Sequence, residues 1–181
     1  MLYTRNGDDG TSNLYHQRGR TSKSDPIFDA LGTLDELNCW CGIVKTHTEA
    51  TLISYQDQSL PQIVHDIQEN LFIIQAGLAG ADKEISGEKI QKMEETINNI
   101  EKALPPITTF FVPGGTSLSS HLDMARAITR RAERTMVTAK ESEIEINELN
   151  LQYINRLSSL FYALVRITNH HFEQAEEKPH Y

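Results

Sequence analysis

Four arginines and a glutamate are concentrated within the nine residues from Arg126 to Arg134. The complete chain of 181 residues has a formal net charge of -8, so this local positive charge needs a reason. On a helix, Arg126, Arg130 and Glu133 are spaced i, i+4 and i+7 and fall on one face. Two guanidinium groups one turn apart form a planar set of donors suited to phosphate or carboxylate, and the alternative is an exposed, salt-bridged helix face.

A loop with two aromatics and two glycines, Phe110 to Thr116, leads directly into this arginine helix. Such a loop can deliver aromatic rings and flexible backbone to the start of the helix. One face of the last predicted helix carries Asn155, Ser158 and Tyr162. These side chains could bind a ligand or form hydrogen bonds between two helices. We therefore expect the chemistry of the chain near the arginine helix.

Polar and glycine residues also cluster near the N-terminus, from Thr4 to Asn13. Gly7 and Gly10 would let the backbone turn sharply and bring N–H groups close to an anion. The segment lacks the Gly-Lys-Ser/Thr sequence of the common phosphate loop. Nucleotide binding and a simple N-terminal turn both remain open for it.

A second glycine-containing motif, Gly32 to Asn38, lies inside the first predicted helix. Glycine is unfavourable there by about 1 kcal/mol, so Gly32 indicates the close approach of another chain or a ligand. Asp35 is the natural carboxylate partner for one of the arginines. A solvated helix face is the alternative.

Apolar residues repeat every three to four positions in five segments, which predicts five helices. Their expected ranges are 26 to about 44, 60–78, 88–104, 117–139 and 146 to past 170. Asp25 and Pro26 suit the start of the first helix, and Pro105-Pro106 ends the third. No alternating pattern of a strand is present, so we predict one all-α domain. It comprises an N-terminal loop (1–24), a helical bundle (25–172) and a polar tail (173–181) that frays.

Composition limits the classes of function. No run of about 18 apolar residues and no signal sequence are present, which favours a cytoplasmic protein without a membrane partner. The acidic balance argues against a nucleic-acid partner. Cys39 and Cys41 would point to opposite sides of a helix, so no disulfide between them and no protein metal site are expected.

Taken together, these motifs resemble the PduO-type ATP:cob(I)alamin adenosyltransferases, from Tyr3 to about Arg166. The matching pieces are Tyr-Thr-Arg-x-Gly-Asp-x-Gly at the start, Lys23-x-Asp25, Gly32-Thr33-x-Asp35-Glu36-Leu37-Asn38, Phe110-x-x-Pro113-Gly114-Gly115, Arg126-x-x-x-Arg130-Arg131-Ala132-Glu133-Arg134 and Asn155-Arg156-Leu157-Ser158. Each piece is weak alone, but their joint order is specific. The resemblance implies a five-helix bundle with ferritin-like up-down packing, assembled as a homotrimer with active sites between subunits. It also implies attack of the Co(I) of a reduced corrinoid on the 5′ carbon of ATP, giving adenosylcobalamin and triphosphate.

The resemblance assigns roles residue by residue. The N-terminal ATP-binding segment of the family is matched by Thr4, Arg5, Asn6, Gly7, Thr11, Ser12 and Lys23. Its ATP contacts on the fourth and fifth helices are matched by Arg130, Glu133, Arg134 and Asn155. Arg130 is expected to stabilise charge on the departing triphosphate, and Arg126 with Asp35 matches a pair that shapes the interface and the corrinoid side.

Phe110 matches the aromatic placed under the corrin ring, although Phe111 beside it leaves open which ring has that role. Ser159 and Leu160 depart from the aspartate and the aromatic that are common in relatives, which leaves the details of the corrin pocket open. Mg²⁺ is expected on phosphate oxygens. A corrinoid reductase and an adenosylcobalamin-dependent enzyme are the implied partners, and a non-catalytic ATP- or corrinoid-binding carrier or sensor is the alternative function.

Overall fold

The computed structural model describes residues 2–15, 19–49, 53–55 and 58–181, and five long helices account for most of them. The helices are α1 (Pro26–Glu49), α2 (Leu60–Leu78), α3 (Gly87–Ala103), α4 (Ser117–Glu141) and α5 (Glu148–His171). Two pairs of two-residue antiparallel strands complete the structure: β1 (Thr11–Ser12) with β2 (Thr21–Ser22), and β3 (Ser54–Tyr55) with β4 (Gln58–Ser59). The predicted five-helix, all-α class is confirmed, and the short strands are an addition to it.

Helix starts follow from local hydrogen bonding by polar side chains. Asp25 lies directly before Pro26, the first residue of α1, and its Oδ1 accepts from the backbone N–H of Ile27 at 3.0 Å. At α4, the N–H of Ser119 donates to Thr116 Oγ1 at 3.0 Å, and the N–H of Thr116 donates to Ser119 Oγ at 2.7 Å. This reciprocal cap fixes the point where the Phe110 loop enters the arginine helix.

The main helix contacts join α2 to α1, α1 to α4, α4 to α5 and α5 to α3. A hydrogen bond of 3.0 Å from Asn70 Nδ2 to the Tyr153 hydroxyl also joins α2 to α5. The core contains large side chains that are fully buried, among them Leu34, Leu71, Tyr153 and Phe161. Since α5 packs between α3 and α4, its polar face lies beside both the arginine helix and the loop that follows α3. The fold therefore brings three of the sequence motifs to one side of the bundle.

The tail does not fray over its first residues, so that prediction is wrong. Glu176 forms an ion pair with Arg166 on α5, with Nε and Oε1 3.1 Å apart. The backbone N–H of Val112 donates to the carbonyl of Glu177 at 2.8 Å. The tail is therefore docked against α5 and the Phe110 loop.

The two cysteines lie on opposite sides of α1, as predicted: Cys39 is exposed and Cys41 is buried, and both are free thiols. Burial raises the pKa of the Cys41 thiol to about 12, which keeps it protonated. None of the helices within the described ranges has the length and apolar character needed to span a membrane.

Candidate active site

A cavity of about 630 Å³ opens between α3, α4, α5 and the loop that joins α3 to α4. Its floor combines apolar side chains of α3 with a polar strip from α4 and α5. The lining residues are Ile97, Ile100, Glu101, Leu104, Ile107, Thr108, Thr109, Phe110, Phe111, Arg126, Arg130, Ser158, Ser159, Tyr162, Ala163 and Arg166. A wide apolar pocket with a few polar groups is typical of a site for a large organic ligand.

Two contacts show that α4 and α5 run antiparallel along this cavity. The Arg126 guanidinium lies over the Tyr162 ring, 6.0 Å from its centroid. About two turns further along α4, Glu133 Oε1 accepts a hydrogen bond of 2.6 Å from Asn155 Nδ2. Arg130 lies between these two contacts and also lines the cavity. The groove thus has an aromatic end and a carboxylate–amide end, with one arginine between them.

Arg126 is held in place by a nearly buried carboxylate. Asp123 Oδ1 accepts from Arg126 Nε at 3.1 Å, and Asp123 Oδ2 accepts from the N–H of Gly114 at 3.0 Å. Only 9% of the Asp123 side chain is exposed, against 28% for Arg126. A single aspartate therefore couples the arginine to the glycine end of the Phe110 loop.

The other arginines of α4 differ in how they are used. Arg134 Nη1 donates to the carbonyl of Arg130 at 2.9 Å, and Arg131 pairs with Glu36 on α1. Within the described residues, the Arg130 guanidinium has neither a hydrogen bond nor an ion pair. An exposed and unpaired guanidinium at a cavity wall is available to bind an anionic ligand.

The predicted partnership of Asp35 with an α4 arginine is not formed within this chain. Arg126 binds Asp123 instead, and the contact between α4 and α1 uses Glu36, the next residue after Asp35. The Asp35 side chain is exposed. Helical geometry explains the difference, because consecutive residues point about 100° apart and only one of them can face α4.

The two phenylalanines of the loop have different environments. Phe110 is 79% exposed at the cavity rim. Phe111 is partly buried, and the Arg166 guanidinium lies 5.7 Å from its ring centroid. At the end of the loop, Gly115 has a φ of 127°, and a Cβ there would lie 2.6 Å from Asn169 Oδ1. The loop therefore passes closely over α5 while leaving Phe110 free to meet a ligand.

The N-terminal residues lie away from this cavity and are joined by the β1–β2 pair. Lys23 Nζ donates to the carbonyl of Gly7 at 2.8 Å, and Arg5 has a φ of 63° in the turn before it. Thr11 Oγ1 and its backbone N–H both donate to Asp9, and these bonds lower the pKa of that carboxyl. The predicted nucleotide-binding residues Thr4, Arg5, Asn6, Gly7, Thr11, Ser12 and Lys23 thus lie in one hairpin, and none of them lines the cavity.

Other predicted features are placed as follows. Ser158 and Tyr162 line the cavity, while Asn155 connects α5 to α4 through Glu133. Ser159, which departs from the family pattern, also lines the cavity. Burial raises the pKa of Tyr162, so its hydroxyl remains protonated at neutral pH. Among the described residues, no three His, Cys, Asp or Glu side chains are grouped as a metal site.

Sequence reasoning missed Asp123, Arg166 and Glu176. Arg166 carried a signal, because it follows Tyr162 by four residues and so shares its face of α5. Asp123 precedes Arg126 by three residues, a spacing that allows an ion pair on a helix. Glu176 lies in a tail without periodicity, and nothing in the sequence marks its contact.

Comparison with known proteins shows the family of the chain. The family model described as cobalamin adenosyltransferase matches residues 2–168. The chain belongs to the cobalamin adenosyltransferase family. A corrinoid adenosyltransferase of Bacillus subtilis is 36% identical over 93% of this chain and 86% of its own length.

Two relatives named corrinoid adenosyltransferase PduO are longer. The protein from Citrobacter freundii is 35% identical and that from Salmonella typhimurium 34%, each over 96% of this chain. The chain spans about half the length of these two relatives, 51% in both cases.

Solved structures of the family share the fold over the whole chain. A variant PduO-type ATP:corrinoid adenosyltransferase from Lactobacillus reuteri, complexed with cobalamin and ATP, has a TM-score of 0.88 and 35% identity, covering 100% of both chains. A second variant of that enzyme, complexed with ATP, has a TM-score of 0.87 and 36% identity, covering 99% of this chain and 100% of its own.

Proposed function

We propose that this protein transfers the 5′-deoxyadenosyl group of ATP to the Co(I) of a reduced corrinoid, giving adenosylcobalamin and triphosphate. The observation that carries the proposal is that the exposed Phe110 and Arg130, which is unpaired within the described ranges, line the same cavity beside the α4–α5 groove. The family membership and the complexes of the solved relatives with cobalamin and ATP support it. The site combines an apolar wall for a large ring with a cation for a polyanion.

In the proposed reaction, Co(I) supplies the electron pair of the new cobalt–carbon bond. The bond between the 5′ carbon and the triphosphate oxygen breaks, and its electron pair leaves with triphosphate. The corrinoid supplies the nucleophile, so the protein has to align cobalt and carbon and stabilise the leaving charge. Arg130 lies one turn from Arg126 on the cavity wall, where its guanidinium would contact the departing triphosphate.

Phe110 is our choice for the aromatic ring under the corrin. It is the exposed member of the pair, whereas the ring of Phe111 is engaged by Arg166. A phenyl group on the lower face would exclude an axial ligand from Co(II). Loss of that ligand lowers the energy of the acceptor orbital, so that reduction to Co(I) becomes accessible.

We further propose that the catalytic unit is a homotrimer and that the N-terminal hairpin binds ATP at the cavity of a neighbouring subunit. Three observations support this. The hairpin does not line the cavity of its own chain. Asp35 is exposed, and a Cβ on Gly32 would meet nothing within 4 Å, which leaves this face of α1 open to a second copy. Asp35 would then meet the Arg126 side of the adjoining subunit.

Remaining parts of the proposal concern cofactor, partners and location. ATP would be bound by residues of the hairpin together with residues of α4 and α5, namely Thr4, Arg5, Asn6, Gly7, Thr11, Ser12 and Lys23 with Arg134, Glu133 and Asn155. Mg²⁺ would be held by phosphate oxygens, as expected of a hard cation that favours oxygen ligands. A corrinoid reductase would supply Co(I), and an adenosylcobalamin-dependent enzyme would receive the product. We also propose a single domain (1–181) and a cytoplasmic location, where ATP is available.

The test is an anaerobic assay with ATP and chemically reduced cob(I)alamin, in which the Co(I) absorbance is followed. We expect an ATP-dependent loss of that absorbance, with light-sensitive adenosylcobalamin and triphosphate as products. Binding of ATP by the folded protein without turnover would instead favour a carrier or sensor.

Arg130→Ala sharpens the test. We expect kcat to fall by about 10²- to 10³-fold, because a preorganised charge is removed from the leaving group, while corrinoid binding changes little. Arg131→Ala is the matched control, since the neighbouring guanidinium pairs with Glu36 on α1 and does not line the cavity. Equal losses of turnover and corrinoid binding in Arg130→Ala would contradict the assignment.

A further inference from the structure

The loop that displays Phe110 has no regular secondary structure, yet it is anchored at both ends. At its start, the carbonyl of Pro105 accepts from Arg166 Nη2 at 3.0 Å. After Phe111, the N–H of Val112 donates to the carbonyl of Glu177 at 2.8 Å. These two anchors, on α5 and on the C-terminal tail, lie on either side of Phe110, and Asp123 on α4 also holds the loop at Gly114.

Arg166 is the centre of this arrangement. Its side chain is 6% exposed, and a buried guanidinium is costly unless it is paired and hydrogen-bonded. Glu176 supplies the pairing in a two-pronged geometry, with Nε to Oε1 at 3.1 Å and Nη2 to Oε2 at 3.1 Å. The same guanidinium lies over the Phe111 ring. One cation therefore joins the tail, the start of the loop and the aromatic next to Phe110.

The arrangement borders the proposed substrate site directly. Arg166, Phe110 and Phe111 all line the 630 Å³ cavity. Most of the donors of Arg166 are already used by Glu176 and Pro105, so its charge is neutralised before any ligand arrives. Arg130, in contrast, is unpaired among the described residues. Arg130 and Arg166, two of the three arginines that line the cavity, thus differ in role: Arg130 is available to the ligand and Arg166 holds the wall.

We propose that Arg166 and Glu176 form a clamp through which the C-terminal tail positions Phe110 for the corrinoid. The identity of the ligand rests on the proposed function, but the clamp itself does not. Arg166 is a positioning residue, because it acts through Phe111 and Pro105. With the clamp closed, Phe110 is presented at a fixed height above the floor of the cavity. With the clamp open, the loop samples other positions and the lower corrin face is no longer reliably covered.

Glu176→Gln tests the clamp with minimal change of shape. The amide keeps one acceptor for Arg166 but loses the charge and the second acceptor, and charge-assisted bonds are roughly twice as strong as neutral ones. Hydrogen exchange, measured by mass spectrometry on peptides covering 107–114, should become about tenfold faster, while peptides of α2 stay unchanged. Glu177→Gln is the matched control, because Glu177 bonds to the loop through its backbone carbonyl and its side chain has no hydrogen bond or ion pair among the described residues.

The positioning role has its own readouts. In Glu176→Gln, KM for the corrinoid should rise about tenfold, while KM for ATP stays the same. The spectrum of Co(II) corrinoid bound together with ATP should show a smaller four-coordinate fraction than in the unmodified protein. Arg166→Lys is the second variant, since it keeps the charge but cannot contact Glu176, Pro105 and the Phe111 ring together. Arg166→Lys should also show the higher KM for the corrinoid and the smaller four-coordinate fraction. The test then does not depend on one variant, which could fail to fold.

Each outcome decides a separate point. Unchanged exchange in Glu176→Gln would overturn the clamp, whatever the activity. Faster exchange with an unchanged corrinoid KM and an unchanged Co(II) spectrum would overturn the positioning of Phe110. If the unmodified protein formed no adenosylcobalamin, the proposed function would fail, while the exchange comparison would still confirm or reject the clamp.

Discussion

Asp123→Asn should disturb the positions of Arg126 and Gly114 without removing a group that we expect to contact the substrates. The carboxylate accepts from Arg126 Nε at 3.1 Å and from the N–H of Gly114 at 3.0 Å. An asparagine presents one oxygen and one NH2 group, so one of the two donors would face another donor. Losing a hydrogen bond to a charged group costs about 1.5–3 kcal/mol. Arg126 is 28% exposed and can turn to water, which places the expected cost near the lower end, at about 2 kcal/mol.

That loss is measurable in both stability and kinetics. For a chain of this size, about 2 kcal/mol corresponds to a decrease in Tm of about 4–8 °C. Displacement of Arg126 and the Gly114 end of the loop should also raise KM for the corrinoid by about tenfold and leave KM for ATP within about twofold. Thermal unfolding and initial-rate kinetics under anaerobic conditions give these two numbers.

Asp82→Asn is the matched control, because Asp82 is exposed and has no hydrogen bond or ion pair within the described part of the chain. Its effect on the free energy of unfolding should stay within about 0.5 kcal/mol. If Asp123→Asn were as mild as this control in both stability and corrinoid KM, the view that one aspartate couples Arg126 to the loop would be refuted.

Two further predictions concern the bundle. Gly77→Ala should lower the free energy of unfolding by about 1–3 kcal/mol, because its Cβ would lie 2.4 Å from the carbonyl oxygen of Lys83. Gly87→Ala is the control: its Cβ would meet nothing within 4 Å, so this variant should not destabilise the protein in denaturant titrations. Burial and the neighbouring His47 lower the pKa of His121 below its usual 6.5, so the folded state binds this proton less readily than the unfolded chain. The free energy of unfolding should therefore fall as pH drops below about 6.5, with a smaller slope in His121→Gln; equal slopes in chemical denaturation from pH 5 to 7.5 would contradict this.

The helices could be predicted well because each has strong local signals. The predicted range 60–78 for α2 agrees with the structure at both ends. Ile63, Ile67 and Ile74 follow a helical period, which is the signal that predicted it. The strand pairs were missed because two residues each are too few to show an alternating pattern.

Less of the site could be predicted, since it depends on contacts between distant segments. Arg130 and Phe110 were found from their motifs, and the structure places both at one cavity. Asp35 was expected to pair with an arginine of α4. The prediction of a carboxylate from α1 was correct, but within one chain it is Glu36 whose side chain reaches α4. The contact of Glu176 with Arg166 depends on how the tail folds back, which neither composition nor periodicity encodes.

The exposure of Phe110 affects which substitutions at this position can be detected from the amount of protein in a cell. Its side chain is 79% exposed and packs into no part of the core, so the fold does not depend on its size or polarity. Selection for abundance, solubility or thermal resistance would accept almost any residue at this position. Variants at Phe110 that impair its proposed role would therefore accumulate to normal levels in a cell, and screens based on protein quantity would score them as harmless.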